Sequence, residues 1–165
     1  MSRAEKPAKP RRRETDASAR VVAVGPVANP ADTTPLLFST ALTVRWRDLD
    51  AFNHVNNSSY LTYLEEARLQ WLGQIQGPWF DDAAMPVLAA SELNYRLPIA
   101  WPATLQVELR CERLGNSSLT LAHRIVDAAD AQRLYSDGRV VLVWMNPASG
   151  RPVPLPAAVR SAADR

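Results

Sequence analysis

Polar side chains are concentrated in one short segment, residues 48–60, with the sequence DLDAFNHVNNSSY. The segment lies between a stretch typical of a strand and a stretch typical of a helix. The start of a helix offers unpaired backbone N–H donors and a partial positive charge, which can stabilise a developing oxyanion. A nearby carboxylate can act as a nucleophile or as a general base on water. This chemistry requires neither a metal ion nor a serine triad.

Alternating apolar and polar residues predict the strands that surround this segment. Leu42, Val44 and Trp46 alternate with polar residues and indicate a half-buried strand that begins at about Thr40. Four further strand-like segments follow residue 85, and the short connections after residue 100 indicate an antiparallel meander. The predicted strands are residues 40–47, 87–97, 105–111, 119–125 and 132–145.

One long helix is predicted directly after the polar segment. Asn57, Ser58 or Ser59 can cap its first turn, and Gly77-Pro78 ends it. Its apolar residues recur at helical spacing and form a wide stripe. They are Tyr60, Leu61, Leu64, Ala67, Trp71, Leu72 and Ile75.

These elements predict an α+β fold in which a curled antiparallel sheet of about five strands wraps one long helix. A lone helix covers such a sheet incompletely. The uncovered surface, or an edge strand, is therefore expected to pair with a second copy of the chain. A homodimer or a homotetramer is the predicted assembly.

Composition divides the 165 residues into three parts. Residues 1–36 are basic and rich in proline and are predicted to be disordered, residues 37–158 form one domain, and residues 159–165 form a short C-terminal tail. The net charge is +2, but the first twenty residues alone carry seven basic and three acidic groups. The rest is slightly acidic, which argues against nucleic acid as a partner.

Other classes of protein are also disfavoured. No apolar run is long enough to span a bilayer, and no secretory signal is present, so neither a membrane nor secretion is predicted. One cysteine, Cys111, cannot form an internal disulfide, and two histidines leave little for a metal site. The expectation is a reduced, cytoplasmic protein without a bound metal.

The stretch RWRDLDAFNHVNNSSYLTYLEEAR, Arg45 to Arg68, resembles the 4-hydroxybenzoyl-CoA thioesterase family of hot-dog-fold proteins. It is most similar to the branch with the motif D-x-x-x-H-V-N-N-x-x-Y. Leu93–Pro98, the turn Gly115–Ser118 and Asn146–Pro156 also resemble that family, so the likeness covers about residues 38–158. It implies a hot-dog fold and hydrolysis of an acyl-CoA thioester to a free acid and coenzyme A. Coenzyme A is then part of the substrate, and no separate cofactor is expected.

The resemblance also implies roles for individual residues. Asp50 matches the active aspartate of the family, which either attacks the thioester carbonyl or activates water. The backbone N–H that polarises the carbonyl maps to Asn57. His54 matches a histidine of this branch and is either a hydrogen-bonded buttress or a base. Phe52 stands where the related plant acyl-ACP thioesterase motif has asparagine, so the plant arrangement is not expected.

The resemblance places the substrate on two sets of residues. Phe52 and Tyr60, with Trp46, would line the acyl chain. The turn between the third and fourth strands would contact the nucleotide phosphates through Arg113, Asn116 and Ser117. Because this turn carries one basic residue only, other arginines or a neighbouring subunit could supply charge.

Structural interpretations of the same residues remain open. Asp50 and Asp48 could be turn formers, Tyr60 and Cys111 core residues, and His123 a structural histidine. Two alternative functions also remain. An acyl-ACP thioesterase would need a basic surface patch to bind its acidic carrier protein. A non-catalytic acyl-CoA-binding protein would not need Asp50.

Overall fold

The structure, a computed structural model, describes residues 34–164. The elements follow one another as strand, 3₁₀ turn, helix, five strands and a second helix. The strands are β1 (Leu36–Thr43), β2 (Met85–Tyr95), β3 (Thr104–Leu114), β4 (Ser118–Asp127), β5 (Leu134–Asn146) and β6 (Arg151–Pro152). The 3₁₀ turn is Trp46–Asp48, and the helices are α1 (Asn57–Gly73) and α2 (Ala157–Ala163).

The strands form one antiparallel sheet in the order β1-β3-β4-β5-β2, and the short β6 pairs with β5. The chain runs through β3, β4 and β5 as a meander, because each of these strands is joined by a short turn to the antiparallel strand beside it. Among the described strands, β1 and β2 therefore lie at the two edges. The predicted α+β fold with a curled antiparallel sheet of about five strands is confirmed.

Helix α1 packs its apolar stripe against the sheet. Leu64 and Ala67 are fully buried in the same core as Leu105 and Val107 of β3. The predicted long helix is wrong in its length, since α1 is short at 17 residues. The helix ends at Gly73 because glycine is a poor helix former, so Ile75 lies beyond the helix.

The first strand lies earlier in the chain than the alternation predicted. Its register pairs Thr40 with Val107 and Leu42 with Leu105, and it ends at Thr43. Trp46 belongs to the 3₁₀ turn and is 69% exposed, so its place in the apolar alternation did not reflect burial. Of the predicted disordered segment, residues 1–33 lie outside the described residues, whereas Leu36 belongs to β1.

Helix α2 begins at Ala157 and continues to Ala163, so most of it lies in the stretch from residue 159 onward, where the sequence predicted only a short tail. Val159 and Ala163 are buried in the core, and Arg160 donates hydrogen bonds to the carbonyls of Gly115 and Asn116. The helix has seven residues, which is too short for helical periodicity to emerge from the sequence. Tertiary packing therefore stabilises this helix.

No helix in the described part of the chain is long and apolar enough to cross a membrane.

Gly138 occupies a position on β5 that admits no side chain. A Cβ placed there would collide with the carbonyl oxygen of Glu92, and it would stand 2.8 Å from that carbonyl carbon and 2.9 Å from Nε2 of His123. Backbone cannot move aside as a flexible side chain can. The absent side chain at this position therefore lets β2 and β4 approach β5.

We expect Gly138→Ala to lower the free energy of unfolding by about 3 kcal/mol, because overpacking displaces neighbouring strands. Urea denaturation measures the loss. Gly73→Ala is the matched control, since a Cβ added at Gly73 would meet nothing within 4 Å and alanine favours helix by about 1 kcal/mol. Equal stability of the two variants would contradict the packing argument.

Candidate active site

The polar segment between β1 and α1 folds into a narrow loop closed by backbone hydrogen bonds. The N–H of Asp50 donates to the carbonyl of His54 at 2.7 Å, and the N–H of Asn56 donates to the carbonyl of Asp48 at 2.7 Å. Asn53 adopts a left-handed backbone with φ of 63°, which asparagine tolerates better than most residues. The chain can therefore reverse within residues 50–54 and return to the start of α1.

Asp50 points one carboxylate oxygen into this loop. Its Oδ1 accepts hydrogen bonds from the N–H of Phe52 at 2.8 Å and of His54 at 3.2 Å. Its Oδ2 has no hydrogen bond to any residue that the structure describes, and the side chain is half-exposed. The carboxylate is thus held in orientation through one oxygen while the other remains available.

Helix α1 begins beside this loop with a free donor. Asn56 caps the helix through its Oδ1, which accepts from the N–H of Ser58 at 2.9 Å and from the Ser58 hydroxyl at 2.8 Å. The N–H of Asn57 has no acceptor within residues 34–164. It can therefore donate to a ligand, and the positive end of the helix dipole reinforces it.

Asp48 anchors the loop to the body of α1. Its Oδ2 accepts from the Tyr63 hydroxyl at 2.7 Å and from the N–H of Arg45 at 2.8 Å. Its backbone carbonyl accepts from the Ser59 hydroxyl at 3.2 Å. Burial and the neighbouring carboxylate of Asp48 both raise the pKa of Tyr63. The interpretation of Asp48 as a structural acid agrees with these contacts.

The aromatic and histidine candidates occupy different environments. The side chain of His54 is exposed and makes no hydrogen bond with any described residue, although its backbone holds Asp50. Phe52 lies at the loop tip, 81% exposed. The ring of Trp46 packs edge to face on that of Trp101, with 5.5 Å between the ring centroids. Tyr60 is buried in the core, and burial raises its pKa to about 12.

The predicted coenzyme A turn is remote from Asp50 within one chain. Arg113, Asn116 and Ser117 stand where β3 ends, whereas the Asp50 loop lies near where β3 begins, since the N–H of Val44 bonds the carbonyl of Ala103. Strand β3 has eleven residues, which is about 33 Å at the usual rise per residue. The structure brings Asp50, His54 and Asn57 together and leaves this turn at the opposite end of the sheet.

Two tyrosines at the site were not predicted from the sequence. Tyr63 anchors Asp48, and Tyr95 donates its hydroxyl to the carbonyl of Asn57 at 3.2 Å and packs edge to face on Tyr60. Tyr95 belongs to the stretch LNYRLP that supported the family resemblance, and this stretch was the available signal. Tyr63 had none, because its partner depends on the path of the loop.

No group of three or more histidine, cysteine or acidic side chains in residues 34–164 could hold a metal ion. The arrangement instead combines a free carboxylate oxygen with a free N–H at a helix start. Together they suit nucleophilic or water-mediated attack on a polarised carbonyl.

A helix on a curled antiparallel sheet, with an acidic loop at the helix start, defines the hot-dog architecture. The family model of the thioesterase-like superfamily matches residues 44–163. The chain therefore belongs to the thioesterase-like superfamily, which confirms the predicted class of enzyme, a thioester hydrolase.

Three similar proteins illustrate the relationship. The PA2801 protein of Pseudomonas aeruginosa is 41% identical, with a TM-score of 0.70 over 78% of this chain and 98% of that chain. A thioesterase from Thermus thermophilus, solved in complex with coenzyme A and Zn, is 34% identical, with a TM-score of 0.66 over 78% and 92% of the two chains. The long-chain acyl-CoA thioesterase FadM of Escherichia coli is 28% identical over 109 residues, 65% of this chain and 82% of FadM.

We expect Tyr63→Phe to lower thioester hydrolysis several-fold, because the Asp48 carboxylate loses the donor that ties the loop to α1. The free energy of unfolding should fall by about 1.5–3 kcal/mol. Steady-state kinetics and urea denaturation measure the two effects.

Tyr135→Phe is the matched control, since the Tyr135 hydroxyl donates to Asp127 at 2.9 Å in a distant turn. This variant should lose stability and keep its kcat. If both variants retained full kcat, Asp48 would not be positioning the loop.

Proposed function

We propose that the protein is an acyl-CoA thioesterase of the branch with the D-x-x-x-H-V-N-N-x-x-Y motif, and that Asp50 is its catalytic carboxylate. The observation that carries the proposal is the orientation of Asp50, whose Oδ1 is held by two backbone N–H groups while Oδ2 is free. The same loop ends at the free N–H of Asn57. An acid and an oxyanion donor are thus presented by one short segment.

The reaction would begin with the thioester carbonyl oxygen accepting a hydrogen bond from the Asn57 N–H. In one route Oδ2 of Asp50 attacks the carbonyl carbon, the C–S bond breaks to release the coenzyme A thiolate, and water hydrolyses the mixed anhydride. In the other route Oδ2 takes a proton from a water molecule that attacks the same carbon. Both routes yield a free acid and coenzyme A.

The remaining residues would contact the substrate rather than form the acid–donor pair. His54 has an exposed imidazole beside Asp50 and is placed to serve as a base or to contact the leaving group. Phe52 at the loop tip and Tyr60 in the first turn of α1 would flank the acyl group. The coenzyme A complex of the Thermus relative and the substrate named for FadM support an acyl-CoA as the substrate.

We expect Asp50→Asn to lower kcat/KM for acyl-CoA hydrolysis by at least about 100-fold, because the amide cannot attack or accept the proton. Asparagine keeps an oxygen for the N–H groups of Phe52 and His54, so the loop should remain folded. Free thiol release from short, long and aromatic acyl-CoAs measures turnover. Asp82→Asn is the control and should retain full activity, since the Asp82 carboxylate is exposed near the start of β2 and bonds no described residue.

The same panel separates the alternative functions. Turnover that survives Asp50→Asn would remove Asp50 from the mechanism. Tight binding of acyl-CoA by the wild type without thiol release would favour a non-catalytic binding protein. Turnover of acyl-ACP but not of acyl-CoA would identify the carrier protein as the true thioester donor.

We further propose that two copies pair through their β2 edges. Strand β2 has eleven residues, is exposed along most of its length and presents Met85, Val87 and Leu88 to solvent. Because its register pairs Val87 with Val143, and Val143 pairs with Ser118, the Gly115–Ser118 turn lies at the Met85 end. Tyr95, at the other end, contacts Asn57. Antiparallel pairing about a two-fold axis would carry each turn toward the partner's Asp50 loop.

Such pairing would bring Arg113, Asn116 and Ser117 of one copy within reach of coenzyme A bound at the other. We expect Val87→Glu to convert the dimer to monomer in sedimentation analysis and to raise KM, because a charge at the interface must be desolvated. Leu36→Glu on the opposite edge strand is the control, since Leu36 is 50% exposed and lies on β1. Dissociation by the control alone would assign the interface to β1.

A further inference from the structure

Arg68 on α1 carries a charge that no described residue neutralises. Its guanidinium makes no hydrogen bond and no ion pair with any residue from 34 to 164. Burial lowers the pKa of Arg68, and the carboxylate of Glu65 opposes this effect without forming an ion pair. A partly buried cation loses hydration that must be replaced by a partner. The position therefore favours an anion that comes from outside the described part of the chain.

A cavity gives such an anion room beside Arg68. Arg68 lines a space of about 360 Å³ between α1 and the start of β2. The side-chain nitrogens of Arg68 are reachable from solvent, since none of them is a buried atom without a partner. The other walls are mostly apolar and include Leu69, Leu72, Phe80 and Leu88. A ligand that fits this cavity would combine hydrocarbon with one anionic group.

An open groove along β2 leads from the candidate active site to this cavity. Leu88 of β2 pairs with the core residue Leu142, and it shares the core-facing side of the sheet. Ser91, three residues on, pairs in the same way with the core residue Val140. Leu88 and Ser91 are nevertheless exposed, because α1 packs on β1 and β3 and leaves β2 uncovered. Tyr95, at the far end of β2, bonds the first residue of α1.

Helix α1 forms the other wall of the groove. Leu61, Glu65 and Leu69 recur every four residues and therefore share one side of the helix. Glu65 and Leu69 line the cavity together with Arg68, so this side faces β2. From Asn57 to Arg68 the helix rises about 16 Å, roughly the length of an extended acyl chain of a dozen carbons. A chain whose carbonyl accepts from the Asn57 N–H can therefore end at Arg68.

We propose that Arg68 binds a carboxylate at the far end of the acyl chain and makes the enzyme selective for ω-carboxyacyl-CoA, the thioester of a dicarboxylic acid. The inference rests on the proposed function and adds the class of acyl group. The planar guanidinium presents paired N–H donors that match the two oxygens of a carboxylate. Hydrolysis would release a dicarboxylic acid and coenzyme A.

A phosphate of coenzyme A is the other anion that an arginine could bind at this position. The nucleotide of coenzyme A carries several charges and a polar ribose, whereas the cavity offers one cation within mostly apolar walls. A methylene chain that ends in a single carboxylate matches this arrangement better.

The test compares kcat/KM for acyl-CoAs of matched length that end in a methyl group, a hydroxyl or a carboxylate, over a series of chain lengths. We expect the wild type to favour the carboxylate by at least about tenfold at one length. Arg68→Met should lower that preference toward unity by raising KM for the carboxylate chain. Arg68→Lys should keep part of it, because the charge remains while the paired donors are lost.

Arg139→Met is the matched control for the loss of a positive charge. Arg139 forms ion pairs with Glu92 and Glu112 on the exposed face of the sheet, and its loss should leave the preference unchanged. Glu65→Gln should strengthen the preference several-fold, because it removes a negative charge from the same cavity. Glu66→Gln is its control, since Glu66 is exposed and does not line the cavity.

Four results would overturn the inference. Equal turnover of methyl-ended and carboxylate-ended chains by the wild type would do so, and so would a preference that survives Arg68→Met. Weaker binding of free coenzyme A by Arg68→Met in calorimetry would assign the guanidinium to a phosphate. A change in the sedimentation of the same variant would assign it to a contact between copies of the chain.

Thermal shifts with the same thioesters measure binding apart from turnover. A wild type that hydrolyses none of them and is stabilised most by the carboxylate-ended chain would refute the proposed hydrolysis while supporting this site. Hydrolysis of all chains without a preference for the carboxylate would refute the site while leaving the proposed hydrolysis intact.

Discussion

The hydrogen bonds of Asp48 are the constraint on which the candidate catalytic loop depends. The Asp48 carboxylate accepts hydrogen bonds from the Tyr63 hydroxyl and the Arg45 N–H. The Asp48 carbonyl accepts hydrogen bonds from the Asn56 N–H and the Ser59 hydroxyl. These contacts join the segment directly after β1 to the first two turns of α1. With both ends of the loop held, the short hairpin can present Asp50 outward and leave the Asn57 N–H unused.

The same geometry separates two kinds of polar group. The polar side-chain atoms at the loop are either hydrogen-bonded, as at Asp48 and Asn56, or open to solvent. His123 and Ser136 are instead enclosed between α1 and the sheet, where an unpaired polar atom is costly.

Hot-dog topology also explains why one chain holds only part of the proposed binding surface. The strands run the full length of the sheet, so the turn after β3 and the loop after β1 lie at opposite ends. A site that needs both must draw them from two copies. The exposed apolar edge of β2 is suited to such pairing, whereas β1 is shorter and ends beside the loop.

The sequence by itself determined the elements whose signal is local. Alternation of apolar and polar residues in β3, continued less strictly in β4, located those strands. Helical spacing located α1, and the D-x-x-x-H-V-N-N-x-x-Y motif located the candidate loop together with the family. Local pattern failed where burial overrides it: Trp46 alternates as a strand residue but lies exposed, and Val159 is buried in a helix too short to show a period. Only the tertiary structure decided which oxygen of Asp50 is free, that Tyr63 and Tyr95 support the loop, and that His123 lacks a partner among the described residues. The contacts of Tyr63 and Tyr95 join residues 15 and 38 positions apart, which no spacing along the sequence encodes. The bonds of Asp50 are local, but they depend on a loop conformation that the side-chain types alone do not specify.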